Sequence, residues 1–257
     1  MYQIDLTGQS GVVFGVANDH SIAWSIARLL GNAGANLALT YQNERLKSRV
    51  DRLADTMKGA ITLPCDATDD MQIKDVFESA QAAFGDISFI VHSIAYASKE
   101  DLSGAFSDTD REGFRLALEI SAFSLLPIAK YGAPLMANGG SILTMTFQAS
   151  QKVYPGYNVM GTAKAALEHE VRQLAFEFGD KNIRVNAISA GPLDTLAARG
   201  IEGFLDMKKV HAEKSPLKRN ITADEVAQTA LFLCSDLSTG ITGSVIPVDA
   251  GYHIMAV

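Results

Sequence analysis

Apolar runs of strand length alternate with helical periodicity along almost the whole of this 257-residue chain. Between the runs, apolar residues recur every three or four positions, as Ile22, Ile26 and Leu30 do before Gly34 ends their helix. The pattern predicts strands over 11–16, 35–41, 60–66, 87–95, 141–147, 182–189 and 244–251. It predicts helices over 21–34, 45–58, 71–84, 111–136, 157–178 and 223–234, the fourth kinked or interrupted by Pro127.

Strand–helix alternation of this kind predicts an α/β fold, a doubly wound (Rossmann) parallel sheet of about seven strands with helices on both faces. No linker, low-complexity tract or internal repeat interrupts it, so we expect residues 1–257 to form a single domain. The alternation breaks at 194–220, a polar stretch with short helical pieces. Because doubly wound sheets bind ligands at the carboxyl ends of their strands, this stretch is expected to be a substrate lid. A surface excursion without a role is the alternative.

Composition and charge narrow the classes of function. The net charge of −7, with no basic patch in the sequence, disfavours nucleic-acid binding. The chain has no long uncharged apolar run and no secretory signal at its N-terminus, so we expect no membrane span and a cytoplasmic location. Cys65 and Cys234 are expected to be buried free thiols, and no metal signature is visible, so we expect no metal.

The turn after the first predicted strand carries a weak signal for a dinucleotide. Such a fold needs a tight turn of small residues, after which backbone N–H groups at the next helix's N-terminus can meet a pyrophosphate. The usual G-x-G-x-x-G is absent, and Gly15, Ala17 and Ser21 stand in its place. Ser21 is expected to cap the helix or donate to a phosphate. Many folds that bind no nucleotide have a similar turn.

The end of the second strand is where the adenosine ribose would be recognised. An acidic residue there would bind the 2′-hydroxyl, and an arginine would accept a 2′-phosphate. Gln42 does neither strongly, while Arg45 and Lys47 are expected on the exposed face of the next helix. We therefore expect NADH rather than NADPH.

Tyr157 and Lys164 are seven residues apart, about two helical turns, so their side chains face the same way. A tyrosine hydroxyl near a fixed ammonium is expected to have a lowered pKa and can donate to a developing oxyanion. The pair alone is not specific, because the same spacing occurs on many helices. A half-buried aromatic with a satisfied hydroxyl remains the alternative for Tyr157.

The motifs GVANDHSIAW, YNVMGTAKAALE and RVNAISAGPLDTLAA, together with matching stretches over nearly the whole chain, resemble the divergent short-chain dehydrogenase/reductases. More narrowly, they resemble the bacterial enoyl-acyl-carrier-protein reductases. The resemblance implies that NADH delivers hydride to the β-carbon of a trans-2-enoyl thioester in fatty-acid elongation. It also implies that charge collects on the thioester oxygen as an enolate, and that the protein is a homotetramer.

The resemblance assigns roles to individual residues. Tyr157 would hydrogen-bond the thioester oxygen, and Lys164 would hold the nicotinamide ribose. By the same resemblance, the pyrophosphate would meet Gly15, Ser21 and Ile22, and the adenosine would meet Gln42, Asp66 and Ala67. The cofactor would also lie against Ile94 and Ala95, and the nicotinamide would be covered by Leu193, Thr195 and Ala197. Asp66 would accept from the adenine amino group. The acyl chain would face Ala97, Phe147, Phe204 and Met207.

The sequence departs from the family pattern at two places. The family usually has a second tyrosine ten residues before the catalytic one, and here that position is Phe147. The segment that often carries basic residues for docking an acidic acyl carrier protein has Glu202 and Asp206, and Asp194 also replaces a usual basic residue. Basic residues at shifted positions could supply the patch instead: Lys208, Lys209, Lys214, Lys218 and Arg219.

These departures leave two alternatives open. The first is a reductase of the same fold that acts on a coenzyme A thioester or another activated enone in a secondary pathway. The second is a nucleotide-binding regulator without catalysis, against which the intact Tyr157–Lys164 pair speaks. The leading hypothesis is an NADH-dependent enoyl-thioester reductase acting on carrier-bound chains.

Overall fold

The fold is a parallel sheet covered by helices on both faces, described by a computed structural model over residues 4–196, 198–201 and 203–256, without the side chain of Arg199. In this part of the chain the sheet has seven strands, all parallel, in the order β3-β2-β1-β4-β5-β6-β7. The strands are β1 Ser10–Phe14, β2 Asn36–Tyr41, β3 Ile61–Pro64, β4 Phe89–His92, β5 Gly140–Thr146, β6 Ile183–Ala190 and β7 Val245–Val248. The predicted fold class is confirmed.

The described α-helices cover the sheet from both sides. They are α1 Ile22–Asn32, α2 Glu44–Ala54, α3 Asp70–Phe84, α4 Arg111–Leu118, α5 Leu125–Gly132, α6 Asn158–Phe178, α7 Phe204–Lys214 and α8 Ala223–Cys234. One apolar cluster joins Ile26 of α1 and Leu233 of α8 to one face of the sheet. A second cluster joins α3, α5 and α6 to the other face through Ile73, Leu125 and Leu167. Two buried layers of this kind are what a doubly wound sheet requires.

The long helix predicted over 111–136 is interrupted, although not at Pro127 itself. A π-helical turn, Glu119–Phe123, separates α4 from α5, and Ser124 N–H donates to the Glu119 carbonyl at 3.1 Å. Pro127 then lies in the first turn of α5, where its missing N–H costs no intrahelical hydrogen bond. The predicted interruption is confirmed, and its form is a π turn before the proline.

The stretch Arg111–Leu135 is long and apolar enough, by length and composition alone, to cross a membrane, and 56% of its most apolar window is buried inside the protein. Its residues Leu125, Ile128 and Ala129 are fully buried in the second apolar cluster. Packing of this kind is typical of a core helix.

The order of the strands reverses direction between β1 and β4, which lie side by side although β2 and β3 separate them in sequence. At such a switch point the connections leave in opposite directions and open a crevice at the carboxyl ends of the strands. Residues 93–95, predicted as part of a strand, lie beyond β4 and line this crevice. The fold therefore places a site at the ends of β1, β4, β5 and β6.

Candidate active site

A cavity of about 650 Å³ lies at the carboxyl ends of the strands. Its walls come from the turn after β1, the residues after β4, the segment between β5 and α6, the loop after β6 and the start of α7. The described members of the predicted site all line it: Gly15, Ser21, Ile22, Gln42, Asp66, Ala67, Ile94, Ala95, Ala97, Phe147, Tyr157, Lys164, Leu193, Thr195, Phe204 and Met207. Ala197 and Glu202 lie outside the described residues.

The turn after β1 brings the start of α1 to the cavity. Gly15 has a φ of +94°, and a Cβ atom there would lie 2.1 Å from the carbonyl oxygen of Ser93. Only glycine fits this close approach of two chain segments. The N–H groups of Trp24 and Ser25 donate to the Ser21 carbonyl at 3.1 and 3.2 Å, so those of Ile22 and Ala23 precede the hydrogen bonds of the helix, and Ile22 lines the cavity wall.

Ser21 is the N-cap residue of α1, but its side chain makes no capping hydrogen bond, and the predicted alternative, donation to a phosphate, stays a prediction. Its Oγ accepts hydrogen bonds from the N–H groups of Ala17 at 3.1 Å and Asn18 at 2.9 Å. The same hydroxyl donates to the Asn18 carbonyl at 2.8 Å. The side chain therefore holds the turn in shape, while its backbone leads into the helix N-terminus. Sequence spacing could not distinguish these two uses, because both place a serine at the first turn.

The end of the cavity near β2 and β3 carries the polar residues predicted for an adenosine. Gln42 is exposed, and Asp66 Oδ1 accepts from the backbone N–H and the hydroxyl of Thr68 at 3.0 and 2.8 Å. Lys47 Nζ donates to Asp51 of the same helix, α2, at 2.6 Å, and the lysine side chain is partly exposed to solvent. Arg45 is exposed on α2, as predicted, and it also lines the cavity.

Tyr157 stands immediately before α6, and its half-buried ring faces the cavity. Its ring centroid lies 5.0 Å from that of Phe147. Burial raises the pKa of Tyr157 above its usual value, and the lowering expected from Lys164 is absent. The prediction of a lowered pKa is therefore wrong. A raised pKa keeps the hydroxyl protonated, so it can act as a neutral hydrogen-bond donor.

Lys164 is buried on α6, two turns beyond Tyr157, and its Nζ donates to the Met145 carbonyl at 2.9 Å. Burial lowers its pKa to about 8, and the nearby charge of Glu168 opposes that shift. An ammonium has three donors, and among the described residues Met145 accepts the one hydrogen bond from Nζ. The remaining donors can serve a ligand in the cavity, since Lys164 lines it.

Phe147 lies between two tyrosines rather than beside one. Its ring centroid is 4.7 Å from that of Tyr154 and 5.0 Å from that of Tyr157. The Tyr154 hydroxyl donates to Gln148 Oε1 at 2.6 Å. Tyr154 is therefore tied to the loop and does not replace the missing hydroxyl at position 147.

Sequence reasoning did not assign the apolar wall on the far side of Tyr157. Leu102, Met160 and Ala163 form a small buried cluster against which Ala97 and Ile201 pack. Met160 follows Tyr157 at helical spacing, which is a usable signal. Leu102 comes from a short 3₁₀ turn, Glu100–Leu102, whose approach to the site depends on the fold.

A buried histidine behind the site was also given no role. His92 Nε2 lies 2.8 Å from Ser124 Oγ, which itself donates to the Ile120 carbonyl, so Nε2 carries the proton. Nδ1 then accepts from the Thr144 hydroxyl at 2.8 Å. Burial and the charge of Lys164 lower the pKa of His92 to about 3, so the ring is neutral.

The region predicted as a lid contributes the loop after β6 and α7 to the wall of the cavity, and its role as a lid stays a prediction. Phe204 and Met207 of α7 reach the cavity, and Thr195 Oγ1 accepts from the Ala198 N–H at 3.1 Å. Asp194 and Lys208 form an ion pair that joins the loop to the helix. Within the described residues, no group of three or more side chains could hold a metal ion.

A sequence model of the family described as Enoyl-(Acyl carrier protein) reductase matches residues 15–253. The chain belongs to the enoyl-(acyl carrier protein) reductase family. The resemblance inferred from the motifs is thereby confirmed. This family member is 50% identical to the Bacillus cereus protein named enoyl-[acyl-carrier-protein] reductase [NADH] FabI, over 97% of this chain and 98% of that protein.

Two solved structures are closely similar to this enoyl-(acyl carrier protein) reductase family member. The Bacillus cereus enzyme with NADP+ and indole naphthyridinone matches with a TM-score of 0.96 and 48% identity, over 100% of both chains. The Anaplasma phagocytophilum enzyme with NAD matches with a TM-score of 0.95 and 44% identity, over 100% of this chain and 98% of that one. The whole architecture, including the cavity end of the sheet, is therefore shared with these structures.

Proposed function

We propose that this protein is an NADH-dependent reductase of the trans-2 double bond of an enoyl thioester carried by acyl carrier protein, acting in fatty-acid elongation. The observation that carries the proposal is the joint placement of Tyr157, Lys164 and the N-terminus of α1 around one cavity. A regulator without catalysis would have no use for a protonated tyrosine beside a buried ammonium.

We propose that a dinucleotide lies along the cavity, from the residues after β2 to Tyr157. The N-terminus of α1 meets the pyrophosphate, because its free N–H groups and the helix dipole favour negative charge. The spare donors of Lys164 hold the nicotinamide ribose hydroxyls, and Asp66 accepts from the adenine amino group. Bound NADH supplies the hydride that reaches the β-carbon of the substrate. The pyrophosphate contact falls to the backbone N–H of Ile22, since both the N–H and the hydroxyl of Ser21 donate to the Asn18 carbonyl in their own turn.

The preference for NADH over NADPH rests on the residues after β2. Gln42 offers no cation to a 2′-phosphate, and the charge of Lys47 is paired with Asp51. Arg45 is the cation at the cavity wall in this region. One Bacillus cereus relative is named for NADH, and a Bacillus cereus enzyme of the family was crystallised with NADP+, so the two cofactors should be compared directly.

At the reacting end, Tyr157 donates a hydrogen bond to the thioester oxygen. Negative charge builds on this oxygen in the transition state, so a fixed donor in a buried site stabilises the transition state more than the ground state. The acyl chain lies against Ala97, Phe147, Phe204 and Met207, with Leu102 and Met160 behind them. Phe147 shapes this wall with an apolar surface where a hydroxyl would otherwise stand.

The charged side chains of the 194–220 region bear on how an acyl carrier protein would dock. Lys208 is paired with Asp194, and Arg219 pairs with Glu225 at 2.6 Å. Lys209 and Lys214 are exposed on α7 and face an acidic carrier more freely. We propose that these two residues take over the docking role that Asp206 does not offer. We also propose a cytoplasmic homotetramer; the buried, unbridged Cys65 and Cys234 suit a reducing compartment.

The test is steady-state NADH oxidation with crotonyl-acyl-carrier-protein and crotonyl-coenzyme A side by side, each repeated with NADPH. We expect higher kcat/KM with the carrier-bound substrate and with NADH. Tyr157→Phe should lower kcat on both substrates by at least tenfold while leaving NADH binding near its wild-type strength, because the lost hydroxyl acts on the substrate. A protein that turns over only the coenzyme A form would instead support the secondary-pathway reductase.

A further inference from the structure

Glu168 is a buried carboxylate one helical turn beyond Lys164, and the reaction outlined above does not use it. Its side chain accepts hydrogen bonds from the last residue of β5 and from the segment that follows this strand. Thr146 Oγ1 and Ser150 Oγ donate to Oε1 at 2.9 and 2.5 Å, and Gln151 Nε2 donates to Oε2 at 3.4 Å. A buried charge that is hydrogen-bonded this fully has a structural or functional reason to be there.

The segment held by Glu168 is the one that forms the substrate wall. Phe147 follows Thr146 directly and precedes Ser150, so the anchors stand on both sides of it. On the same helix, Lys164 donates to the carbonyl of Met145, the residue before Thr146. Two α6 side chains one turn apart therefore hold consecutive residues where β5 ends.

Helix α6 can approach this segment closely because Gly161 faces it. A Cβ atom at position 161 would lie 2.9 Å from the Ala149 carbonyl oxygen. Because of this close approach, the short hydroxyl side chains of Thr146 and Ser150 reach the Glu168 carboxylate directly. The geometry of the wall thus depends directly on α6.

Lys164 is surrounded by few charges. His92 faces it from β4 and is neutral, and Tyr157 precedes it on the same side and is protonated. The nearby charges among the described residues are the carboxylate of Glu168 and, beyond it, Arg172, whose Nη2 lies 4.0 Å from Glu168 Oε2. Burial would favour a neutral amine at Lys164, and the carboxylate opposes it.

We propose that Glu168 is a positioning residue, which keeps the Lys164 ammonium charged in its buried place and fixes the 146–151 segment that bears Phe147. The inference rests on the proposed function only in naming NADH as the ligand of Lys164. It concerns a residue of α6, one turn beyond Lys164, that acts through Lys164 and through Thr146 and Ser150, without touching the substrate.

The first experiment measures NADH binding by fluorescence titration between pH 6 and pH 10. Wild-type binding should weaken as pH rises through the pKa of Lys164, about 8. Glu168→Gln removes the charge that favours the ammonium, so the midpoint should fall by about one pH unit. Glu177→Gln is the matched control, because Glu177 is an exposed carboxylate on the same helix, and its midpoint should not move.

This readout does not depend on enoyl reduction, so it stands even if the protein reduces no enoyl thioester. A Glu168→Gln protein with a wild-type midpoint would overturn the proposal. So would binding that is weakened equally at every pH, since that result indicates a merely structural role.

The second experiment tests the wall. Ser150→Ala removes one hydrogen bond and leaves the carboxylate in place, so it is expected to fold even if Glu168→Gln does not. Its KM for the enoyl thioester should rise severalfold, while the midpoint for NADH binding stays at the wild-type pH. An unchanged KM would overturn the proposal, as would a midpoint that moves together with KM.

Discussion

Restoring a hydroxyl at position 147 is the most direct test of how the substrate wall works. Phe147 lines the cavity, and its ring is 5.0 Å from that of Tyr157, the proposed donor to the thioester oxygen. Phe147→Tyr would place a second donor on the same wall. Because the ring is 9% exposed and already packed between two tyrosines, the substitution should change polarity more than packing.

The size of the effect follows from the worth of one neutral hydrogen bond. A net contribution of about 1 kcal/mol corresponds to about a fivefold change in an equilibrium or rate constant. We therefore expect kcat/KM for crotonyl-acyl-carrier-protein to rise about fivefold. If the new hydroxyl binds only the charged oxygen of the transition state, the gain appears in kcat; if it binds the ground state equally, KM falls instead.

The assay is NADH oxidation by wild type and variant on the same day, with the substrate concentration varied at saturating NADH. Phe176→Tyr is the matched control, because it adds the same hydroxyl to an exposed phenylalanine of α6 and should leave kcat/KM unchanged. A Phe147→Tyr enzyme with unchanged or reduced kcat/KM would refute the reasoning. It would mean that the pocket is shaped for an apolar surface at this position.

Three other perturbations test parts of the fold. Gly15→Ala should abolish NADH binding in fluorescence titration, since its Cβ would meet a backbone oxygen at 2.1 Å; wild-type affinity would contradict this. Thr222→Ala breaks the capping box with Glu225 and should cost about 1 kcal/mol, lowering Tm by about 2–4 °C in calorimetry. His92 is neutral when folded and protonates more readily when unfolded, so the free energy of unfolding should fall as pH drops from 6.5 toward its folded pKa of about 3. Measured by urea titration at each pH, the free energy of unfolding of His92→Gln should depend less steeply on pH, by up to about 1.4 kcal/mol per pH unit. The exposed control, His169→Gln, should keep the wild-type dependence.

The alternation of apolar runs predicted the sheet and its helices because each strand and helix must bury its own apolar face. It placed the strand ends less well. Ile94 and Ala95 continue the apolar run of β4, yet they lie beyond its last residue, His92, and line the cavity. Periodicity cannot distinguish an apolar residue that packs in the sheet from one that faces a ligand.

Contacts between side chains far apart in the sequence could not be predicted from the sequence. The pairing of Asp194 with Lys208 depends on how the loop after β6 meets α7, and that of Thr146 with Glu168 depends on how closely α6 approaches β5. The pKa of Tyr157 was wrongly predicted for the same reason. The Tyr157–Lys164 spacing placed both side chains on one face, but it gave no measure of their burial or of the carbonyl that takes the lysine's hydrogen bond.

Burial has opposite consequences for the two central side chains. It favours the neutral form of both, which keeps the proton on Tyr157 but tends to remove it from Lys164. The tyrosine is proposed to act as a hydrogen-bond donor, so burial alone suits it. The lysine is proposed to act as a charged group, so it needs a negative partner in the same buried region. Glu168 stands one turn further along α6, where a helix brings position i+4 next to position i. Helix α6 and the residue that precedes it therefore carry the donor, the ammonium and the carboxylate that stabilises the ammonium. The pH range of NADH binding should follow from this carboxylate.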